Sequence, residues 1–397
     1  MVIDSFKFAV GKTLLDREGE YIMGMKPMKV GIIGCGTISG TYLANSKKFD
    51  AFDVLAVADK RIEAAEARAK EFEIPKACSV EDLLADSDIE TVINLTPHFA
   101  HGPVGIAVLE AGKNVYNEKP LAVYREDGKK MLALAKAKGL RIGGAPDTFL
   151  GGAWQTARKA IDDGVIGEPV GAFICLMARR GVRPDQQRTR PDGYVNFYST
   201  DFFEFGVTWS FDRGPYYLNA IINLLGPVSR VTGSARKTWE ERDDVFGRVK
   251  VNAPTHIAGI MDFTNGAVCT FIMTSDAYDT NMPHIEVYGS EASMRCIDPN
   301  NFGGPILIRK NDSREFAQLD CPFGYNGNSR GVGVADMASA IHNKRPNRIS
   351  GEMGYHVIDI IHGFHDASKE NRHIMLQSTC ERPKPLPIGL EEWKIDD

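Results

Sequence analysis

No apolar run in this 397-residue chain approaches the roughly 20 residues needed to cross a bilayer. The first 27 residues carry charges at Asp4, Lys7, Lys12, Asp16, Arg17 and Glu18. Their only short apolar run, Phe8-Ala9-Val10, is too brief for a signal-peptide core. A cytoplasmic protein with an N-terminal extension over 1–27 is expected. An excess of positive charge is also missing: 47 Lys and Arg face 52 Asp and Glu, a net charge of −5, which argues against a dedicated nucleic-acid binder. Seven scattered cysteines form no Cys-x-x-Cys pair, so neither a disulfide framework nor a zinc site is expected, and a reducing compartment fits. Gly-x-Ser-x-Gly and P-loop patterns are absent, which removes serine-hydrolase and phosphoryl-transfer readings of those types. His362-x-x-His365 has helical spacing, but no carboxylate or cysteine cluster completes it. It reads as a solvated helix face, and no metal is expected. There are no repeats and no low-complexity tract.

What remains is a soluble, globular composition, 43% hydrophobic and 25% charged, in a chain too long for one ordinary core. Two domains follow. From Lys29 to about Ala145, short apolar runs alternate with helical patterns, as a parallel α/β sheet requires. Strands are expected at Val30–Ile33, Val54–Ala58, Thr91–Leu95, Asn114–Tyr116 and Arg141–Gly143, with helices at Ser39–Lys47, Ile62–Phe72, Pro103–Ala111 and Asp127–Lys138. After Pro146 the pattern turns to hairpins. His256–Phe263 and Ala267–Thr274 flank an Asn265-Gly266 turn, and His284–Tyr288 and Ser293–Ile297 flank Gly289-Ser290. Helices are expected at Gly152–Asp163, Pro215–Leu225, Ala335–His342 and Met353–Lys369. The fold class is therefore α/β: an N-terminal Rossmann dinucleotide-binding domain (28–147) and a C-terminal α+β domain (148–397) with an open, mainly antiparallel sheet.

Gly34-Cys35-Gly36-Thr37-Ile38-Ser39-Gly40 follows the first strand and opens a helix. The first glycine permits the tight turn, the second lets the backbone approach a pyrophosphate, and the third lets the helix pack on the sheet. Thr37 and Ile38 would supply helix-start amides to the phosphates. Gly40 comes one residue later than the usual fingerprint. Asp59 closes the second strand 19 residues beyond Gly40, near the spacing for reading ribose hydroxyls. A carboxylate there favours NAD over a 2′-phosphate, while Lys60 and Arg61 keep NADP open.

Two further segments, Thr96-Pro97-His98-Phe99-Ala100-His101 and Glu118-Lys119-Pro120-Leu121-Ala122, sit at strand ends, where α/β sheets bind ligands. With these residues the chain, from Lys29 onward, resembles the Gfo/Idh/MocA family, whose namesakes include glucose-fructose oxidoreductase and inositol dehydrogenase. The resemblance implies redox chemistry on a secondary alcohol of a carbohydrate or cyclitol substrate, and a homodimer or homotetramer. It places Lys119 beside the nicotinamide and the reacting hydroxyl. Thr96, Pro97 and His101 would flank the nicotinamide, and Glu118 would approach its ribose.

Family members usually carry an aspartate and a histidine four residues apart on the first long helix of the second domain, on one helical face. Here Asp212 fills the first position and Tyr216 the second. Unperturbed tyrosine titrates near ~10, against ~6.5 for histidine, so it is a poor base unless its surroundings change that. The expected catalytic constellation is Lys119, Tyr216 and Asp212. A competing reading starts the helix at Gly214-Pro215, with Asp212 serving nearby backbone amides and Tyr216 packing.

Arg179, Arg180, Arg183, Arg188 and Arg190 form a basic loop that fits a solvated or intersubunit segment, or a site for an acidic substrate. Tyr194, Phe197, Tyr198 and Trp209 are candidates for stacking on a sugar ring. The leading functional reading is an NAD(P)-dependent dehydrogenase of a sugar, sugar acid or cyclitol. A redox-neutral enzyme with retained NAD (isomerase, epimerase or glycoside-cleaving) is the alternative, with a non-catalytic nucleotide-binding sensor less favoured.

Overall fold

The structure, a computed structural model, describes residues 14–15, 21–22, 26–178, 200–244 and 247–396. Six parallel strands build the N-terminal sheet: β1 (Met28–Ile33), β2 (Phe52–Ala58), β3 (Lys76–Cys78), β4 (Thr91–Asn94), β5 (Asn114–Asn117) and β6 (Ile142–Gly144). They are ordered 3-2-1-4-5-6. That order reverses between β1 and β4, and the crevice at this switch point is where doubly wound sheets bind dinucleotides. The strands read as continuous apolar runs because both faces are covered: Val30, Ile32, Ala56, Val57, Val92 and Ile93 have no exposed surface.

Helices α1 (Ser39–Ser46), α2 (Ile62–Phe72), α3 (Val80–Ala85), α4 (His101–Glu110) and α5 (Arg125–Lys138) link these strands. Helix α5 shows why such segments are helical. Glu126 and Asp127 occupy its first turn, Lys136 and Lys138 its last, and Gly139 takes the left-handed conformation (φ +66°) that ends it. Strand β3 and helix α3 were not anticipated. Helix α3 is announced by Ser79, whose hydroxyl accepts from the Asp82 amide at 3.0 Å.

The C-terminal domain is a nine-stranded sheet, antiparallel except for one central pair. Its strands are β7 (Pro169–Met177), β8 (Val228–Arg236), β11 (His256–Phe263), β12 (Val268–Thr274), β13 (Ile285–Gly289), β14 (Ala292–Cys296), β15 (Leu307–Lys310), β16 (Ala317–Gln318) and β17 (Ile374–Met375). A separate ribbon pairs β9 (Glu241–Asp244) with β10 (Gly247–Lys250). The large sheet runs β16-β15-β14-β13-β7-β12-β11-β8-β17, with β7 and β12 parallel. The β11–β12 hairpin turns at Asn265-Gly266, where Gly266 has φ +90° and the Asn265 side chain accepts from the Ala267 amide.

One face of this sheet packs on α8 (Gly214–Leu225) and α10 (Gly351–Glu370). The opposite face leaves Ile260, Val268 and Tyr288 exposed. Helix α6 (Gly152–Asp162) and helix α9 (Val332–His342) complete the domain, and α10 also meets α5 across the domain boundary. No helix among the described residues is long and apolar enough to cross a membrane.

Two expectations need correction. His362 and His365 do not lie on a solvated face: His362 Nε2 is 2.9 Å from the Val123 carbonyl oxygen, and burial lowers the pKa of both rings. Among the described residues there is no cluster able to hold a metal ion. Nor does one helix carry Asp212 and Tyr216. Helix α7 (Thr208–Asp212) ends at Asp212, Arg213 intervenes, and α8 begins at Gly214 with Pro215 in its first turn. Proline has no amide to continue the α7 hydrogen bonding, so the chain breaks and restarts.

Candidate active site

The glycine turn sits directly after β1. Gly34 has φ +103°, and a Cβ placed there would come within 2.6 Å of the Leu95 backbone, so glycine is required both for conformation and for space. Gly40 is different. A Cβ there would meet only the Arg68 and Phe72 side chains at an ordinary 3.7 Å, so the expected tight helix–sheet packing is not the reason for this glycine. The Gly36 carbonyl is held by Ser39 Oγ (2.6 Å) and Arg68 Nη2 (3.2 Å).

No side chain caps α1. Among the described residues the Gly36, Thr37 and Ile38 amides meet no protein acceptor. These amides, at the positive end of a helix and partly open to solvent, fit a pyrophosphate. Asp59 follows β2 immediately. Its Oδ2 accepts from the Cys35 amide (2.9 Å) and its Oδ1 from the Arg61 amide (3.0 Å), which ties the carboxylate to the edge of the turn. Lys60 next to it is exposed.

Thr96-Pro97 leaves β4, with the Thr96 hydroxyl donating to Asn94 Oδ1 at 2.6 Å. His101 does not present its ring to a ligand, contrary to the expectation that it flanks the nicotinamide. The side chain is buried, with Nδ1 2.7 Å from the Pro120 carbonyl oxygen and Nε2 2.7 Å from that of Thr96. Both nitrogens are used in bracing the Thr96 and Pro120 segments against each other. Glu118 is also buried. Its Oε1 accepts from the Tyr42 hydroxyl (3.0 Å) and its Oε2 from the Lys119 amide (2.9 Å).

Lys119 crosses from the first domain to the second. Its Nζ lies 2.5 Å from Asp212 Oδ1 and 2.9 Å from the Asp212 carbonyl oxygen, at the C-terminal end of α7, where a helix favours a cation. The two side chains are 12% and 5% exposed. Burial alone would raise the Asp212 pKa, but the Lys119 charge and the neighbouring His98 hold it well below the usual carboxylate range. Asp212 is therefore an ion-pair partner of Lys119. The turn that delivers it is strained: Thr208, β-branched and buried, has φ +45°.

The Lys119 ammonium lies 5.4 Å from the centroid of the Tyr216 ring. On the same ring Arg213 is 5.8 Å from the centroid, with its Nη2 2.9 Å from each Asp298 oxygen. Sequence reasoning passed over His98. Its Nε2 is 3.5 Å from Asp212 Oδ1, while its Nδ1 is enclosed with no hydrogen-bond partner. The available signal was its position directly after Thr96-Pro97, though nothing in the sequence linked it to Asp212. Trp209, a stacking candidate, donates its indole N–H to the Ala178 carbonyl (2.7 Å) and packs edge-on to Phe202. The arginine loop and Tyr194, Phe197 and Tyr198 lie outside the described residues.

Residues 28–144 match the family described as "Oxidoreductase family, NAD-binding Rossmann fold", and residues 154–295 match the GFO/IDH/MocA C-terminal domain. The chain belongs to the Gfo/Idh/MocA family. Its Rossmann domain is accordingly an NAD-binding one. Among relatives, 1,5-anhydro-D-fructose reductase of Ensifer adhaerens is 32% identical over 145 residues, 36% of this chain and 44% of that protein. A 2,7-anhydro-N-acetylneuraminate hydratase of Mediterraneibacter gnavus is 29% identical over 163 residues, 41% of this chain and 42% of that protein. These alignments thus span less than half the length of either relative. Among solved structures, levoglucosan dehydrogenase in complex with NADH and L-sorbose has a TM-score of 0.74 and 21% identity, covering 88% of this chain and 99% of that one. At that identity the likeness is one of fold.

Proposed function

We propose that the protein is an NAD-dependent dehydrogenase that passes hydride between a secondary alcohol of a sugar, sugar acid or cyclitol and the nicotinamide. The carrying observation is the Lys119–Asp212 pair, an enclosed ammonium fixed at the strand end where the family places its reacting hydroxyl. When bound, NAD takes or gives the hydride. Lys119 orients the alcohol oxygen and stabilises negative charge developing on it. Asp212 is too weak a base to take the hydroxyl proton, and it anchors Lys119 and His98 instead. The proton then goes to His98, with Tyr216 closing the site beside Lys119.

The amides of Gly36, Thr37 and Ile38 hold the pyrophosphate in this reading, Thr96, Pro97 and Glu118 surround the nicotinamide end, and Asp59 favours NAD over NADP. The same proposal takes 28–147 as the cofactor domain and 148–397 as the substrate domain, working in the cytoplasm. It also takes the exposed sheet face bearing Ile260, Val268 and Tyr288 as the surface that forms a homodimer or homotetramer.

The test is to incubate purified protein with NAD or NADP and a panel of sugars, sugar acids and cyclitols, following reduced-cofactor absorbance. Net reduction matched to product is expected. A broad panel that gives cofactor binding and no product overturns the reading. The hydratase among the relatives favours one second reading, a redox-neutral reaction with retained NAD. Product without net NADH, and cofactor released only on denaturation, would identify it.

A further inference from the structure

Arg330 stands out among the enclosed cations of the second domain. Arg158, Arg213, Arg242 and Arg348 each have a carboxylate within hydrogen-bond distance: Asp162, Asp298, Asp276 and Asp336 respectively. Among the described residues Arg330 has no ion-pair partner within 4.0 Å. Its Nη1 donates to Asn328 Oδ1 (2.8 Å) and its Nη2 to Asn300 Oδ1 (2.7 Å), both neutral amides, and the guanidinium sits 5.9 Å from the Phe302 ring centroid.

The nearby carboxylates are turned elsewhere. Asp147 Oδ2 accepts from the Gly331 and Gly333 amides, and Glu118 accepts from Tyr42 and the Lys119 amide. Arg330 instead faces Tyr216. Burial acts to lower its pKa, while the Tyr216 phenol, Asp147 and Glu118 raise it on balance. The residue keeps part of its surface exposed.

Its place is fixed. Asn45 of α1 donates to the Asn328 and Arg330 carbonyls, each at 2.9 Å, which holds this loop against the cofactor domain. An arginine kept rigid and partly desolvated, with no carboxylate within ion-pair distance among the described residues, suits an oxyanion, because its planar fork matches a carboxylate or phosphate. Tyr216 connects it to the chemistry: Lys119 lies 5.4 Å from the same ring.

We propose that Arg330 anchors an oxyanion subsite, and that the substrate carries a carboxylate beside the carbinol it presents to Lys119. This rests on the dehydrogenase reading, and it narrows the substrate class to sugar acids. The cofactor's pyrophosphate is the other oxyanion that could reach a cation in this cleft, and the experiment separates the two.

Binding is measured first by calorimetry, with the full chain saturated with NADH and titrated with D-gluconate or D-glucuronate against D-glucose. The acids are expected to bind at least about tenfold more tightly than the neutral sugar. In Arg330→Gln the preference for acids is expected to fall to near parity, with Arg330→Lys recovering part of it because the charge stays but the fork is lost. NADH affinity, followed by fluorescence, is expected to stay within about twofold in both variants. Equal binding of acids and neutral sugar by the native chain overturns the proposal. So does a loss of NADH affinity in Arg330→Gln with acid preference kept, which would assign the arginine to the pyrophosphate. Because binding is read without turnover, failure here is distinct from absence of dehydrogenase activity, which the product assay reports separately.

Discussion

Lys119 and Asp212 form an ion pair whose side chains are 12% and 5% exposed. Removing one partner of a buried pair costs about 3–5 kcal/mol. Lys119→Met is therefore expected to lower stability toward urea by roughly this amount and turnover by at least about 100-fold. NADH binding should persist, because the glycine turn is untouched. Turnover near the native value would remove Lys119 from the chemistry. The proton is a separate matter. A carboxyl held as far down as Asp212 is a weak acceptor, which leaves His98 and Tyr216. His98→Gln is expected to cost at least about tenfold in kcat and to change the shape of the pH profile of kcat. Tyr216→Phe should also cut turnover at least about tenfold, with the pH profile kept in shape. If Tyr216→Phe is the variant that reshapes the profile, the proton passes through the phenol and His98 is a positioning residue.

Among the elements, the glycine turn gives the sharpest test. Gly34→Ala would place a methyl 2.6 Å from the Leu95 backbone at φ +103°, a conformation costing about 1–3 kcal/mol for a non-glycine residue even without the contact. The expected outcome is a lower melting temperature and at least about tenfold weaker NADH binding; native affinity would mean the turn does not shape the pyrophosphate seat. Helix α2 was legible over Ile62–Phe72 and strand β11 over His256–Phe263 because periodicity and turn residues are local signals. Strand β3 has three residues, too few for a pattern, and β7 starts inside the turn-rich Gly167-Glu168-Pro169 stretch that reads as a stop. The break between α7 and α8 was visible in Gly214-Pro215, but the family pattern of one continuous helix outweighed it. Gly34, Asp59 and Lys119 were legible because each sits at a strand end, and strand ends are where such sheets bind ligands. His98 and Arg330 were not. Their roles come from contacts with Asp212 and Tyr216, more than a hundred residues away in sequence.

At the scale of the whole molecule, polar side chains clamp the two domains. Arg125 of α5 reaches Asp359 (2.8 Å) and Asp366 (2.6 Å) on α10, and His362 contacts the Val123 carbonyl, just past the Glu118-Lys119-Pro120 segment. A chain segment near residue 393 adds a second clamp: Trp393 packs edge-on to Phe49 at 5.1 Å, and Lys394 pairs with Asp50 at 2.5 Å. Several buried histidines in this assembly make its stability depend on pH. His356 accepts from the Val228 amide through Nε2 (3.0 Å), a bond only the neutral ring makes, and burial lowers its pKa to about 4. His365, with Nε2 enclosed and unpartnered, is lowered to about 4 as well, and His362 shifts in the same direction. Unfolded histidine titrates near ~6.5, so below that pH the unfolded chain binds more protons and stability falls, by about 1.4 kcal/mol per pH unit for each ring. Asp147 opposes this. Burial raises its pKa to about 6, so the folded state holds the extra proton down to the ordinary carboxylate range and gains stability on acidification. Burial lowers the His101 pKa to about 4 as well, against the two carbonyl contacts that favour its charged form. The net expectation is a loss of at least about 1 kcal/mol in unfolding free energy for each pH unit between ~6 and ~4. Urea titrations across that range should show it, with His356→Gln flattening the slope and Asp147→Asn steepening it. Stability that is level or rises toward acid in the native chain would mean these imidazoles are not held neutral, and the clamp between the domains would then have to tolerate their charge.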